Sequence, residues 1–253
     1  MTQYFTKWRA NMNNRYELDI VGDSDRMEEA ARARLDEWRG QAVRMARRLP
    51  EHVYVNGPDV REVALTFDDG PDERVTPAIA EALSRYGVKG SFFFVGSRVE
   101  RHPDIVKAVY EAGHLVLNHS WNHDRLTTLG AAALRDDLRR TQEAISDAIG
   151  VRPALFRPPF GAADDSVVLA AGEEGCRTVL WSLDTLDWSQ KEEAHIRWNV
   201  DNYVRNGEIV LMHSSPGCTE TAKAMPRLLE SLLEAGRRPV DLGRLLGLPA
   251  YLT

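Results

Sequence analysis

The sequence predicts an α/β protein whose parallel strands curl into a closed or distorted barrel, preceded by a helical N-terminal extension. Three observations carry this. From Arg61 onward, short apolar runs alternate with amphipathic helical patterns, as repeated βα units do. The runs are apolar throughout rather than alternating, the mark of strands covered on both faces. Six or seven such units suit a barrel better than a short open sheet, and the glycine fingerprint of dinucleotide binding is missing. A doubly wound sheet is the alternative. At 253 residues, 43% of them hydrophobic, the chain can bury a core in one large domain or two small ones.

Residues 1–22 show no clear period. Between 24 and 49, Met27, Ala31, Leu35, Trp38, Ala42, Met45 and Leu49 recur at steps of three or four, which predicts a helix. Asp25 with Glu28 could form a capping box at its start, and Pro50 ends it. Its apolar stripe must pack on the main domain or on a partner chain, so it is a candidate homodimer contact. Gly57-Pro58 then breaks the chain, dividing a helical extension (1–58) from a main domain (59–253). Strand Val63–Phe67 is followed by a helix over 75–86, Gly90–Val95 by a helix over 99–112, and His114–Leu117 by a longer helix with Leu134, Leu138, Thr141, Ile145 and Ile149 on one face. Ala154–Phe156 precedes a helix over 164–172, Arg177–Leu183 one over 192–205, and Glu208–Met212 one over 219–235. Arg238–Val240 is a seventh strand candidate before a short terminal helix.

Composition narrows the function. A net charge of −6 offers no basic surplus for a nucleic-acid partner. No run approaches 18 apolar residues, so no spanning helix and no membrane partner are expected. The first nine residues contain no apolar signal core, and Cys176 and Cys218 read as free thiols, Cys176 as an inert buried one; together these point to a cytoplasmic protein. The excess of Arg (27) over Lys (5) is ascribed to genome composition.

The unusual polar clusters share one position. Asp68-Asp69-Gly70, Asn118-His119-Ser120-Trp121-Asn122-His123, Arg157-Pro158-Pro159-Phe160-Gly161, Asp184-Thr185-Leu186-Asp187-Trp188 and His213 each follow the C-terminal end of an expected strand. In a parallel barrel those ends face one side, where the loops build the active site. His119 and His123, four apart, could hold one metal if the segment turns helically. Two His and one carboxylate leave coordination positions open for water and substrate, and Asp68 or Asp69 is the obvious carboxylate. HxxxH by itself equally fits a surface pair, and Asp-Asp-Gly-Pro a plain turn. Adjacent aspartates repel unless a metal takes one and a cation such as Arg157 the other. His213 is either a structural histidine or, oriented by Asp187, a protonated acid. Trp121 and Trp188 either line a sugar groove or pack at the rim.

These residues resemble the polysaccharide deacetylases of carbohydrate esterase family 4, the NodB-homology domain. Thr66-Phe67-Asp68-Asp69-Gly70-Pro71 resembles the first motif, His119 through His123 the second, and Arg157 through Gly161 the third, with Phe160 where Tyr is usual. Asp184 through Trp188 resembles the fourth and Leu211-Met212-His213 the fifth, so the resemblance spans about residues 61–245. It implies a distorted (β/α) barrel, often seven-stranded, holding one divalent metal. Zinc is expected first, with Co²⁺, Ni²⁺ and Fe²⁺ as alternatives. By motif position Asp69, His119 and His123 would bind the metal, Asp68 would be general base and His213 general acid. Arg157 would hold Asp68, Asp187 would tune His213, the Phe160 N–H would serve the oxyanion and Leu211 would line the acetyl pocket. The implied activity is hydrolysis of an N-acetyl group on an amino sugar. The missing export signal favours a small intracellular glycoside or oligosaccharide over a wall polymer such as chitin or peptidoglycan. A glycan-binding pseudoenzyme and a non-haem iron oxygenase are the competing classes.

Overall fold

The computed structural model describes residues 16–252. Residues 1–15, the first nine of which were read for an export signal, lie outside the described residues. Nine strands are present among the described residues: β1 (Val53–Tyr54), β2 (Glu62–Gly70), β3 (Ser91–Phe94), β4 (Leu115–Asn118), β5 (Leu155–Phe156), β6 (Arg177–Val179), β7 (Leu183–Asp184), β8 (Ile209–His213) and β9 (Arg238–Val240). They form one sheet in the order β1-β6-β5-β4-β3-β2-β8-β7, and β9 pairs with the start of β2. Every pairing between these strands is parallel. The helices are α1 (Glu29–Arg48), α2 (Val75–Arg85), α3 (Gly96–Arg101), α4 (Pro103–Glu111), α5 (Ala131–Ile149), α6 (Asp165–Glu173), α7 (Asp187–Gln190), α8 (Glu193–Tyr203), α9 (Thr219–Glu234) and α10 (Leu242–Leu246). Among the described residues no helix is long and apolar enough to cross a membrane.

Strand alternation sorts the core into layers. Val63, Leu65 and Phe67 of β2 face outward and pack with Ile79 and Leu83 of α2 and Met225, Leu228 and Leu229 of α9. Ala64 faces inward with Phe93, Leu117, Leu155, Val179, Trp181, Ile209 and Leu211, which fill the barrel. Thr66 and Asp68 continue the inward face, so the alternation that buries Ala64 also delivers Asp68 to the end of the barrel.

The strand count exceeds the expected seven for two reasons. The run Arg177–Leu183, expected as one strand, breaks into β6 and β7; β6 pairs with β5 and β7 with β8, so the two halves join opposite sides of the path. The extension also supplies a strand: β1 pairs with β6, and Val21 bridges Leu183 on the free flank of β7. The seam placed after residue 58 is thus crossed by a continuous sheet and core. Ala42, Val43 and Ala46 of α1 are buried with the barrel interior cluster, so this part of the stripe is covered by its own chain.

Two local expectations fail. No capping box forms at α1; its N-cap is Glu28, without a side-chain cap, and Asp25 pairs with Arg32 instead. The helix expected over 99–112 is two, because Pro103 starts α4 and holds His102 outside the helical region, at φ −133° and ψ 51°.

Candidate metal centre and acid–base pairs

Arg157 organises the interior end of the barrel. It is fully buried, with its guanidinium over Phe93 (4.2 Å to the ring centre) and near Trp181 (5.5 Å). Its nitrogens donate to the Val179 carbonyl (3.1 Å), the Leu180 carbonyl (2.8 Å), Thr66 Oγ1 (2.8 Å) and Asp68 Oδ1 (2.8 Å). A buried cation of this kind is tolerated only when paired and hydrogen-bonded, and Asp68 supplies the charge. Asp68 Oδ1 is thereby committed to Arg157, while Oδ2 lies 3.8 Å from His119 Nε2.

Asp69 turns the other way, because its φ of 67° puts it in the left-handed region. Its Oδ1 lies 3.2 Å from His119 Nε2 and 3.0 Å from His123 Nε2. His119 Nδ1 donates to the Arg157 carbonyl at 2.7 Å, which orients the ring with Nε2 towards Asp69. The histidines are not on a helix, contrary to the geometry first considered. Ser120 (φ 65°) and His123 (φ 64°) are left-handed, and the loop is braced by Ser120 N–H to Asn118 Oδ1 and His123 N–H to Ser120 Oγ. Those turns bring the two rings to 5.1 Å between centres.

This trio fits a divalent metal. The ligand atoms of Asp69, His119 and His123 all lie within 4.8 Å of one another. Asp69 Oδ1 is buried with no well-formed hydrogen bond, although two imidazole nitrogens face it. Three ligand atoms converging this closely is the arrangement of a ligand set, and the two-nitrogen, one-oxygen donors suit a borderline cation. Burial alone would push the Asp69 carboxyl up; the facing imidazoles and the charge on His213 instead hold it well below the usual carboxylate range.

His213 ends β8 beside Asp68 of β2. Its Nδ1–H donates to Asp187 Oδ1 at 2.7 Å, and its backbone N–H to Asp187 Oδ2 at 2.7 Å. Thr221 Oγ1 adds a third bond to Asp187, also at 2.7 Å. Burial disfavours the charged ring, but the Asp187 carboxylate outweighs it, helped by Asp69 and Asp68, and holds the His213 pKa well above its ordinary value. The ring is a proton donor with Nε2 unencumbered by Asp187.

The remaining expected residues divide. Phe160 sits in a left-handed turn (φ 59°, ψ 10°), 54% exposed, with its ring edge-on to His123 at 4.6 Å. Leu211 is buried on the face of β8 that also carries His213, two residues on. Trp188 is 40% exposed and donates its indole N–H to Asp184 Oδ1 at 3.2 Å. Trp121 is not in an open groove above the metal ligands: it is buried against Gly96, with the Arg140 guanidinium 3.9 Å from its ring centre, and lines a cavity between α3 and α5. Sequence reading missed the part played by Thr66, Thr221 and Trp38. Thr66 was quoted within its motif, and its inward register two residues before Asp68 was the available signal.

A family model described as polysaccharide deacetylase matches residues 56–179. The peptidoglycan-N-acetylglucosamine deacetylase PgdA of Listeria monocytogenes is 37% identical over 207 residues, 79% of this chain and 43% of that protein. A peptidoglycan-N-acetylglucosamine deacetylase of Bacillus cereus is 35% identical over 187 residues, 73% of this chain and 87% of its own length. This chain therefore spans less than half the length of the Listeria relative and most of the Bacillus one. The crystal structure of a peptidoglycan N-acetylglucosamine deacetylase bound to 4-naphthalen-1-yl-N-oxidanyl-benzamide superposes with a TM-score of 0.77 at 31% identity, covering 80% of this chain and 96% of that one. A pseudoenzyme of the same family from Bacillus anthracis superposes at 0.72 and 29% identity, covering 76% and 68%.

Proposed function

Because the chain belongs to the polysaccharide deacetylase family, we propose that it hydrolyses the N-acetyl group of an N-acetylglucosamine unit in a peptidoglycan-type wall polymer, releasing acetate and a free amine. The observation that carries the reaction is the coexistence, on one barrel end, of a converging Asp69–His119–His123 trio and two separate proton-handling pairs, Arg157–Asp68 and Asp187–His213. Metal dependence is general in the family. The substrate class rests on the relatives, whose names state peptidoglycan N-acetylglucosamine or, for PdaC of Bacillus subtilis, N-acetylmuramic acid. The expected preference for a small intracellular glycoside finds no support among them and gives way to the polymer. The cytoplasmic placement belongs with the small substrate, so cell fractionation separates the two pictures.

Asp69, His119 and His123 would hold one divalent ion, zinc by donor chemistry. Such an ion, when bound, polarises the amide carbonyl and makes water available as a nucleophile near neutral pH. Asp68, oriented by Arg157 through Oδ1, accepts the proton of the attacking water at Oδ2. The Phe160 N–H, turned by its left-handed φ, serves the developing oxyanion; one such donor contributes roughly 3–4 kcal/mol. His213 holds its proton at Nε2, because Nδ1–H is committed to Asp187, and delivers it to the departing nitrogen. Phe160 replaces the usual Tyr without cost to this role, since the backbone performs it.

Acetate release measured on peptidoglycan, chitin oligomers and monomeric N-acetyl sugars tests the assignment. Turnover should be greatest on polymer carrying N-acetylglucosamine. Release confined to monomeric glycosides would overturn the polymer reading, and none from any substrate would overturn the activity.

A further inference from the structure

We propose that Trp38, on helix α1 of the N-terminal extension, is a positioning residue of the active site that fixes the turn presenting the Phe160 N–H. The proposal rests on the deacetylase reading above. The family match begins at residue 56, so α1 lies in front of it. Yet the Trp38 indole N–H donates to the Gly161 carbonyl at 3.0 Å, across 123 positions of chain. The ring also stacks on Trp181, centres 4.7 Å apart and planes 29° apart. Trp181 in turn lies beside the guanidinium of Arg157, the residue that holds Asp68.

The turn needs such support. Phe160 (φ 59°) and Gly161 (φ 61°) are both left-handed, a conformation a non-glycine residue keeps only where its surroundings over-determine it. Gly161 has no alternative, for a Cβ there would lie 2.3 Å from the Trp38 ring and 2.9 Å from Trp181. The two indoles therefore close over the Gly161 backbone, and the carbonyl of the residue that follows Phe160 is tied to α1. The extension is further anchored by the Arg48–Asp165 ion pair, at the first residue of the helix that follows this turn. An oxyanion donor acts by being preorganised, so loosening it costs transition-state rather than substrate binding.

The test is Trp38→Phe, which keeps a ring against Trp181 and removes the N–H, with Trp38→Ala beside it and Arg32→Ala, at an exposed ion pair of the same helix, as control. The readouts are kcat and KM for acetate release, the melting temperature, and deuterium exchange of the amides over 157–162. For Trp38→Phe we expect kcat about tenfold lower, KM within twofold, melting within a few degrees of wild type and faster exchange across the turn. Arg32→Ala should match wild type in all of them. Wild-type kcat and exchange in Trp38→Phe, or losses in both Trp38 variants that merely track the unfolded fraction, would overturn the positioning role. If the wild-type chain releases no acetate, the deacetylase reading fails, and the exchange comparison still decides whether Trp38 holds the turn.

Discussion

Asp68 and Asp69 are adjacent in sequence, yet the backbone gives them opposite tasks. Asp68 keeps strand geometry and points inward to Arg157; Asp69, at φ 67°, swings to His119 and His123. Their repulsion is relieved by separation and by different partners. Asp68→Asn keeps the shape and removes the base, so kcat should fall by about 10²-fold or more while bound metal stays at one equivalent, read by acetate release and metal analysis. Asp187→Asn removes the charge that raises the His213 pKa, so the alkaline limb of the kcat/KM profile should move to lower pH. The sign follows from His213 acting in its protonated form: activity is lost as pH rises through its pKa, and a lower pKa brings that loss earlier. An unmoved limb would remove His213 from the role. At this scale the sequence was informative where polar residues followed apolar strands, which put Asp68, Asp69, His119, His123, Arg157, Asp187 and His213 on one rim; which aspartate faces the histidines came only from the family resemblance. The left-handed turns at Ser120 and His123 were not legible, because no glycine marks them, and Trp121 was left open between groove and rim because aromatic character alone does not say which side of a loop a ring faces.

At the scale of elements, period and punctuation were legible and partnership was not. Pro103 announces the break between α3 and α4, though the apolar pattern runs through it. The division of β6 from β7 depends on which neighbours flank each half, information carried by β5, β8 and β1 rather than by the run itself. His114, at the mouth of β4, shows an element's packing setting a titration. It is 1% exposed; its Nδ1 accepts from the Gly90 N–H and its Nε2 faces the Ala80 carbonyl. Burial, with the Lys89 charge, lowers its pKa from 6.5 to about 4. The unfolded chain therefore binds more protons between those values, so this group's stabilisation is complete above pH 6.5 and lost as pH falls towards 4. The loss is on the order of 3 kcal/mol at most. Urea melts at pH 7 and 4.5 should show a smaller pH-dependent loss in His114→Gln than in wild type; equal losses would show that His114 does not titrate on unfolding.

At the scale of the molecule, the extension belongs to the barrel's fabric. Val21 pairs with β7, β1 with β6, and Trp38 ties α1 to the Phe160 turn. A chain begun at residue 59 would lose a strand and part of the interior cluster, and should unfold by several degrees or more below the full chain, read by thermal melting. An unchanged melt would make the extension a mere appendage. The sequence placed a boundary there because Gly57-Pro58 breaks local pattern, and local pattern does not report long-range pairing. The measurement that bears most directly on the whole account is acetate release from N-acetylglucosamine-containing peptidoglycan by the full chain, before chelation, after it, and after zinc is restored, with His119→Ala in parallel. The account predicts release that disappears with the metal, returns with zinc, and is absent in His119→Ala under every condition. Release that survives chelation, or an active His119→Ala, would contradict it.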